Sequence, residues 1–222
     1  KKLDIQNHDP LTFQLLIEIS ACDIEKPLPK VNVDWKTLLY AIESQGISGL
    51  AYYTFYQNKD TDYPPQVFQE KLWEYHRYIS LQMVDKYQRI KSVISLLKER
   101  GIEFLILKGP ATAEAIYPEP SLRYYVDLDL LAHPGDRNQV LDALCALGYK
   151  SEAGYLDPLP KLIPTVVNDH HTVFFHPESN LPVEVHWEDL LIDDLVPRDL
   201  SGMWRRAVPI TIEGIKVKTL CL

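Results

Sequence analysis

The feature that most constrains the fold is a long stripe of apolar residues between the Pro64–Pro65 pair and Gly101. Apolar side chains recur there every three or four residues, which is the spacing of one face of an α-helix. A helix over the whole segment would be about 50 Å long. The pattern predicts one long helix whose buried face consists of Phe68, Leu72, Tyr75, Ile79, Met83, Tyr87, Ile90, Ile94 and Leu97.

Shorter periodic segments precede the long stripe and also predict helices. Asp34 is a suitable first residue for one of them, because its carboxylate can accept hydrogen bonds from the first backbone N–H groups of a helix. Gly46 can end the same helix, since glycine readily adopts the left-handed conformation found after a helix. Residues 1–100 are therefore predicted to be a helical region, with shorter helices over Thr12–Ala21, Trp35–Gln45 and Ile47–Gln57.

The pattern changes after Gly101, where short apolar runs alternate with helical segments. Such alternation predicts a mixed α/β sheet over residues 101–222, and the whole chain is predicted to have an α+β fold. The predicted strands are Glu103–Leu107, Tyr124–Leu131, Val173–Phe175 and Leu181–Trp187, followed by a hairpin of Val208–Ile212 and Ile215–Val217. The predicted helices are Ala111–Tyr117, Pro134–Leu147 and Arg198–Arg206, and residues 150–170 are predicted to form a long loop.

Charge and hydropathy narrow the classes of function. The chain has 23 Lys and Arg against 31 Asp and Glu, a net charge of −8, whereas broad DNA binding usually needs a basic face. No apolar run approaches the roughly 20 residues of a membrane span, and the polar segment Lys1–Pro10 does not resemble an export signal. Because the first residue is lysine, the numbering is expected to begin inside a longer chain.

The three cysteines, Cys22, Cys145 and Cys221, are scattered and form no C-x-x-C motif. This spacing argues against a disulfide framework and against a cysteine-rich zinc site. Cys145 lies in the apolar stretch Val140–Leu147 and is predicted to be a buried thiol of the core. A reducing cytoplasm is the expected location of such a chain.

Two aspartates stand one residue apart in a predicted strand. Because side chains alternate along a strand, Asp127 and Asp129 would lie on the same face. Their carboxylates repel each other, and a divalent cation between them would relieve the repulsion. A solvated pair at a sheet edge is the alternative. Two other acidic pairs, Asp23/Glu25 and Asp60/Asp62, lie in loop-like surroundings, whereas this one is flanked by Val126, Leu128, Leu130 and Leu131.

A third acid stands in the strand Leu181–Trp187. Glu184 and His186 would share one face of this strand. If the strand neighbours that of Asp127 and Asp129, three carboxylates converge, which is a ligand set suited to Mg²⁺ or Mn²⁺. The alternative for Glu184 is an acid on a strand surface. His186 could orient Glu184 or contact a substrate.

Other histidines cluster just before this strand. His170, His171 and His176 could suggest a zinc site, but they lack the H-E-x-x-H spacing or a similar one. We therefore expect no zinc site from these residues.

Two basic residues flank the acids. Lys108 and Gly109 end a predicted strand just before a helix, where glycine would let a phosphate approach backbone N–H groups and Lys108 could pair with it. The segment is not a P-loop, since G-x-x-x-x-G-K-[ST] is absent, and a simple turn is the alternative. Arg123 could bind phosphate with two hydrogen bonds or form a salt bridge with a neighbouring acid.

As an ordered set, these motifs resemble the nucleotidyltransferase family proteins of the DNA polymerase β-like superfamily. The resemblance covers roughly residues 86–220 and rests on Lys108-Gly109, Tyr117-Pro118, Arg123, Asp127-x-Asp129, Gly148-Tyr149 and Glu184-x-His186-Trp187. It implies a mixed-sheet nucleotidyltransferase palm over residues 101–222, with further helices beyond Leu222. One departure is Lys108-Gly109-Pro110, where the superfamily usually has Gly-Ser or Gly-Gly. Pro110 has no N–H to donate to a phosphate.

The resemblance implies a metal-dependent enzyme that moves a nucleoside monophosphate from a nucleoside triphosphate to an acceptor hydroxyl and releases pyrophosphate. Asp127, Asp129 and Glu184 would hold Mg²⁺ or Mn²⁺, and Lys108, Gly109, Arg123 and His186 would bind the nucleotide. The acceptor could be a small molecule, a peptide, a protein or an RNA end. A phosphoester hydrolase with the same acids, and a non-catalytic module that binds a nucleotide or a partner, are the alternative functions.

Overall fold

The computed structural model describes residues 9–21, 28–57, 63–151, 171–187 and 200–220. Its helices come first along the chain and its sheet second, which confirms the predicted α+β class. By their internal contacts the residues divide into two compact units. The helical unit holds Lys1–Met83 and Tyr117–Tyr124, and the sheet unit holds Val84–Ile116 and Tyr125–Leu222.

The helical unit contains the helices that the apolar periodicity predicts. They are α1 (Pro10–Ala21), α2 (Trp35–Gln45), α3 (Ser48–Gln57) and the first part of α4 (Gln66–Glu99). Both predicted ends of α2 are confirmed. The Asp34 carboxylate accepts a hydrogen bond from the Lys36 backbone N–H at 3.1 Å, and Gly46 adopts a left-handed conformation with φ of 67°.

Aromatic and aliphatic side chains fill the core of the helical unit. The Trp35 ring lies 5.3 Å from that of Tyr63 and 5.0 Å from that of Phe68, and Phe55 contacts Phe68 edge to face at 5.4 Å. These ring contacts join α2, α3 and the start of α4. The other buried side chains of this core include Leu15, Ile19, Leu28, Val33, Leu38, Ile42, Leu50, Ala51 and Leu72.

Helix α4 is 34 residues long and ends next to Gly101, as the apolar stripe predicts. Most of the predicted stripe is buried, while Tyr75 and Tyr87 are half-buried. The buried stripe residues are Phe68, Leu72, Ile79, Met83, Ile90, Ile94 and Leu97.

The described residues of the sheet unit form a mixed seven-stranded sheet in the order β3-β4-β5-β2-β1-β7-β6. Strands β2 and β5 are parallel, as are β1 and β7, and the other neighbours are antiparallel. The strands are β1 (Phe104–Ile106), β2 (Leu128–Ala132), β3 (Lys150–Ser151), β4 (His171–Phe175), β5 (Val183–Trp187), β6 (Val208–Ile212) and β7 (Ile215–Thr219). The helices are α5 (Pro110–Ile116), α6 (Arg137–Ala146) and α7 (Leu200–Arg205).

Strand β2 begins at Leu128, four residues later than the sequence predicts. The backbone carbonyls of Tyr125 and Val126 accept hydrogen bonds from the buried Lys86 ammonium, at 2.6 and 3.5 Å, and they face this side chain instead of a neighbouring strand. Asp127 therefore stands just before the strand, and Asp129 lies within it. The predicted helix from Pro134 begins with a 3₁₀ turn, Pro134–Asp136.

The prediction that Cys145 is a core thiol is wrong, because its side chain is exposed. Helix α6 buries Val140, Ala143 and Leu144. Each residue of an α-helix is rotated by about 100° from the one before it, so Cys145 turns away from the buried face.

Some predicted features lie outside the described residues. They are Cys22, Cys221, His170, the pairs Asp23/Glu25 and Asp60/Asp62, most of the loop over 150–170 and the first residues of the helix Arg198–Arg206. Among the helices that the structure describes, none has the length and apolar character needed to cross a membrane.

Candidate functional site

The site is built on two neighbouring parallel strands of the sheet unit. In the register of β2 with β5, Asp129 lies directly opposite Glu184. On β5 the residues Val183, Val185 and Trp187 are buried, while Glu184 and His186 on the other face are half-buried. The alternation that the sequence predicts for β5 thus directs Glu184 and His186 to the face where Asp129 stands.

A carboxylate, an imidazole and a second carboxylate meet at this point. Nε2 of His186 lies 3.2 Å from Oδ1 of Asp129 and 3.5 Å from Oε1 of Glu184. One oxygen or nitrogen of each of the three residues lies within 4.8 Å of the others. The side chain of Asp129 is only 1% exposed, whereas that of Glu184 is 25% exposed. The group therefore has a buried end and an accessible end.

The ammonium of Lys108 balances the negative charge of the two aspartates. Its Nζ lies 3.2 Å from Oδ2 of Asp129 and 3.8 Å from Oδ2 of Asp127. The Lys108 side chain is 58% exposed, so it has room to change its partner. Partial burial lowers the pKa of Lys108, but the nearby Asp129 carboxylate outweighs this effect, and the pKa lies above its ordinary value.

The environment of Asp129 favours its ionised form. Burial by itself raises the pKa of Asp129, because a charged carboxylate loses water contacts. The hydrogen bond with His186 and the nearby Lys108 ammonium act in the opposite direction and prevail, so the pKa of Asp129 lies below its ordinary value. A buried carboxylate that stays charged is a suitable ligand for a cation.

Gly109 allows the chain to turn closely past the aspartates between β1 and α5. Its φ is 58°, a left-handed conformation that side chains rarely adopt. A Cβ atom at this position would lie 3.3 Å from the backbone oxygen of Asp127 and 3.6 Å from the ring of Tyr125. The glycine predicted here is therefore required by the close approach of the two backbone segments.

Arg123 has its described contacts within the helical unit. It donates a hydrogen bond from Nη1 to the hydroxyl of Tyr117 at 3.1 Å, and its guanidinium lies 5.5 Å from the centre of that ring. These contacts join Arg123 to a tyrosine, and not to a neighbouring acid as the alternative of a salt bridge would require. Its role in nucleotide binding stays a prediction.

Sequence reasoning gave no role to two residues near the site. Lys86 is 3% exposed and holds the backbone just before Asp127 through the two carbonyls described above. Burial lowers the pKa of Lys86, although the charges of Asp127 and Asp85 partly offset this. Lys86 stands three residues after Met83 and four before Ile90, so it falls on the apolar stripe of α4. This position could have indicated from the sequence that the lysine is buried.

His171 is the second such residue, and sequence reasoning saw it only as part of an unsupported zinc site. It pairs with His186 across β4 and β5. Its Nε2 lies 3.8 Å from Oε1 of Glu184. The pairing of the two strands, which their sequences do not specify, brings it to the edge of the site.

The donor set fits a divalent cation. Ionised carboxylates and a neutral imidazole are ligands of divalent metals, and Asp129 is held in the charged form that binding needs. Asp127 also lies near the Lys108 ammonium, at 3.8 Å, but it does not belong to the group of three residues whose donor atoms lie within 4.8 Å of one another.

Comparison with known proteins gives a family. A family model described as "uncharacterised nucleotidyltransferase" matches residues 32–222 of the chain. No curated protein and no solved structure gives a match.

Proposed function

Because the chain belongs to this family of uncharacterised nucleotidyltransferases, we propose that it transfers a nucleoside monophosphate from a nucleoside triphosphate to an acceptor hydroxyl, releasing pyrophosphate. The observation that carries the proposal is the register of β2 and β5, which sets Asp129 opposite Glu184 on a partly accessible face. The acceptor is proposed to be a small molecule, a peptide, a protein or an RNA end.

The carboxylates of Asp127, Asp129 and Glu184 would hold Mg²⁺ or Mn²⁺. A bound divalent cation would neutralise charge on the phosphates and make the acceptor hydroxyl more acidic. Asp129 supports this role because it is buried and ionised, so its position and charge are fixed before a substrate arrives. The Glu184 side chain, 25% exposed, is more accessible than that of Asp129, and Glu184 is the proposed acceptor for the proton of the attacking hydroxyl.

Lys108 is proposed to bind the triphosphate. Its exposed ammonium can move from the aspartates to a phosphate oxygen, where it would offset the charge that develops during transfer. Gly109 would let the phosphates approach the turn closely, and Arg123 and His186 are proposed as further nucleotide-binding residues. Pro110 has no N–H, so this turn offers one donor fewer than a Gly-Ser turn would.

The direct test is release of pyrophosphate from each nucleoside triphosphate with Mg²⁺ or Mn²⁺, using a panel of acceptors. We expect Asp129→Asn to lower the rate by about 100- to 1,000-fold, since the neutral amide removes a fixed charge from the site. Asp127→Asn should also lower it. Asp142→Asn changes an exposed aspartate of α6 in the same way and should leave the rate unchanged.

The products separate this function from its alternatives. A labelled acceptor supports nucleotidyl transfer, whereas free nucleoside monophosphate without a modified acceptor would indicate a phosphoester hydrolase. Nucleotide binding without any turnover would indicate a non-catalytic module. Full turnover by Asp127→Asn and Asp129→Asn would contradict the proposed role of these carboxylates.

A further inference from the structure

We propose that Nε2 of His186 is a metal ligand beside Asp129 and Glu184, and that the site therefore prefers Mn²⁺ over Mg²⁺. This inference rests on the proposed function, because it concerns the cation of the same site. It assigns His186 to the metal, whereas the sequence predicts a contact with the nucleotide. The alternative role of His186, orientation of the acids by hydrogen bonds alone, is what the experiment below tests.

The first argument is the spacing of the three donor atoms. Two ligands at right angles on one ion, each about 2.1 to 2.2 Å from it, are separated by about 3 Å. Nε2 of His186 lies 3.2 Å from Oδ1 of Asp129 and 3.5 Å from Oε1 of Glu184, close to this separation in both cases. A cation could therefore contact all three atoms after shifts of a few tenths of an ångström.

The second argument is the position of the imidazole between the carboxylates. An ion held by Asp129 and Glu184 would be near Nε2 of His186, because that atom is close to both oxygens. The side chain of His186 is 17% exposed, and that of Asp129 is 1% exposed. Both side chains are largely enclosed by the protein, so they have little room to separate. When a cation binds, the imidazole would therefore have to coordinate it or be displaced.

The third argument is the chemistry of the ligands. Mg²⁺ strongly favours oxygen ligands and keeps much of its water, whereas imidazole nitrogen is a suitable ligand for first-row transition metals. Mn²⁺ also accepts the carboxylates that the site supplies. A set of two carboxylates and one imidazole thus favours Mn²⁺ by its nitrogen donor.

His171 is the matched control, because it is another imidazole close to the same acid. Its Nε2 lies 3.8 Å from Oε1 of Glu184, and its ring centre is 5.9 Å from that of His186. It does not belong to the group of three whose donor atoms lie within 4.8 Å of one another. His171→Gln should therefore keep the nitrogen ligand, and His186→Gln should remove it.

The experiment is electron spin-echo spectroscopy of the purified chain loaded with Mn²⁺, which detects ¹⁴N bound directly to the ion. We expect a nitrogen coupling in the unaltered chain and in His171→Gln, and its loss in His186→Gln, whose amide offers an oxygen. Calorimetric titration with Mn²⁺ and with Mg²⁺ should give an affinity ratio that falls by about 10-fold or more in His186→Gln. Circular dichroism establishes that each variant is folded, and His186→Asn is the second variant.

Bound Mn²⁺ without nitrogen coupling in the unaltered chain would overturn the inference, whatever the variants do. So would coupling that persists in His186→Gln and His186→Asn but disappears in His171→Gln, and so would the absence of bound Mn²⁺. The pyrophosphate assay with Mg²⁺ distinguishes these failures from failure of the proposed function. Turnover with Mg²⁺ and no nitrogen ligand would leave nucleotidyl transfer in place and exclude His186 as a ligand.

Discussion

The two units of the chain bury different kinds of polar group. Among the residues that the structure describes, the buried polar side chains of the helical unit are uncharged: Thr12, Ser48 and Thr54. The sheet unit buries two charged side chains, Lys86 and Asp129, along with Thr219. Both units have apolar cores, so the buried charges are what distinguishes the sheet unit.

The buried charges of the sheet unit indicate positions where the side chain is not the one that would stabilise the fold most. Moving a charge out of water is costly, and a buried ion pair often stabilises a fold no more than well-packed apolar residues would. Asp129 stands in a strand whose other residues are all buried and apolar, where an apolar side chain would suit folding better. This position of a charge is what the proposed role of Asp129 as a metal ligand requires.

The largest effect on stability should come from Lys86→Met. The substitution removes the ammonium that hydrogen-bonds to the carbonyls of Tyr125 and Val126. Relief of the buried charge offsets part of the loss, but the hydrogen bond to the Tyr125 carbonyl is buried, so that carbonyl cannot turn to water instead. We expect the free energy of unfolding to fall by about 1 to 3 kcal/mol. Urea unfolding followed by circular dichroism measures this change.

Lys91→Met is the control for Lys86→Met, because Lys91 is an exposed lysine of the same helix. Its effect should stay within about 0.5 kcal/mol. Equal stabilities of the two variants would show that the buried ammonium contributes nothing to the fold. Asp129 would then be the one buried charge on which the comparison of the two units depends, among the residues that the structure describes.

Thr219→Val should have a smaller effect. The Thr219 side chain is 3% exposed, and its hydroxyl donates a hydrogen bond to the Ile106 carbonyl at 2.6 Å across β1 and β7. Valine has nearly the same shape and cannot donate this bond. The free energy of unfolding should fall by about 1 kcal/mol, measured by the same urea titration. No loss would mean that the hydroxyl is replaceable and that this buried polar group is incidental.

Thr54→Val should have the smallest effect and the opposite sign. Thr54 is 4% exposed, and its hydroxyl has no hydrogen-bond partner among the described residues. Valine removes a buried polar atom that gains nothing from folding, so the free energy of unfolding should rise by up to about 1 kcal/mol. With Thr219→Val it forms a matched pair, one threonine from each unit. A loss as large as that of Thr219→Val would contradict the comparison.

Local features of the fold could be predicted from the sequence because nearby residues decide them. Asp34 and Gly46 mark the two ends of α2 by their own backbone and side-chain preferences. The alternation over Val183–Trp187 correctly assigns Glu184 and His186 to one face. Each of these features depends on residues within a few positions of one another, so the pattern alone was enough.

Features that depend on distant residues were predicted wrongly or not at all. The start of β2 was placed too early, because Lys86 takes up the carbonyls before Asp127 from a position 39 residues away. The error for Cys145 is of another kind, because the helical spacing of Val140, Ala143 and Leu144 already places it off the buried face of α6. For the start of β2, an interaction beyond the local pattern decided the outcome.

The sequence by itself determined the order of helices and strands, the ends of α2, the long helix α4 and the alternation that places Glu184 and His186 on one face of β5. Hydrophobic periodicity and backbone preferences act over a few residues and leave a visible pattern. The tertiary structure alone decided that β2 lies parallel to β5 with Asp129 opposite Glu184, and that His186 and Lys108 meet Asp129. Strand pairing joins residues more than 50 positions apart, and its register depends on packing of the whole sheet.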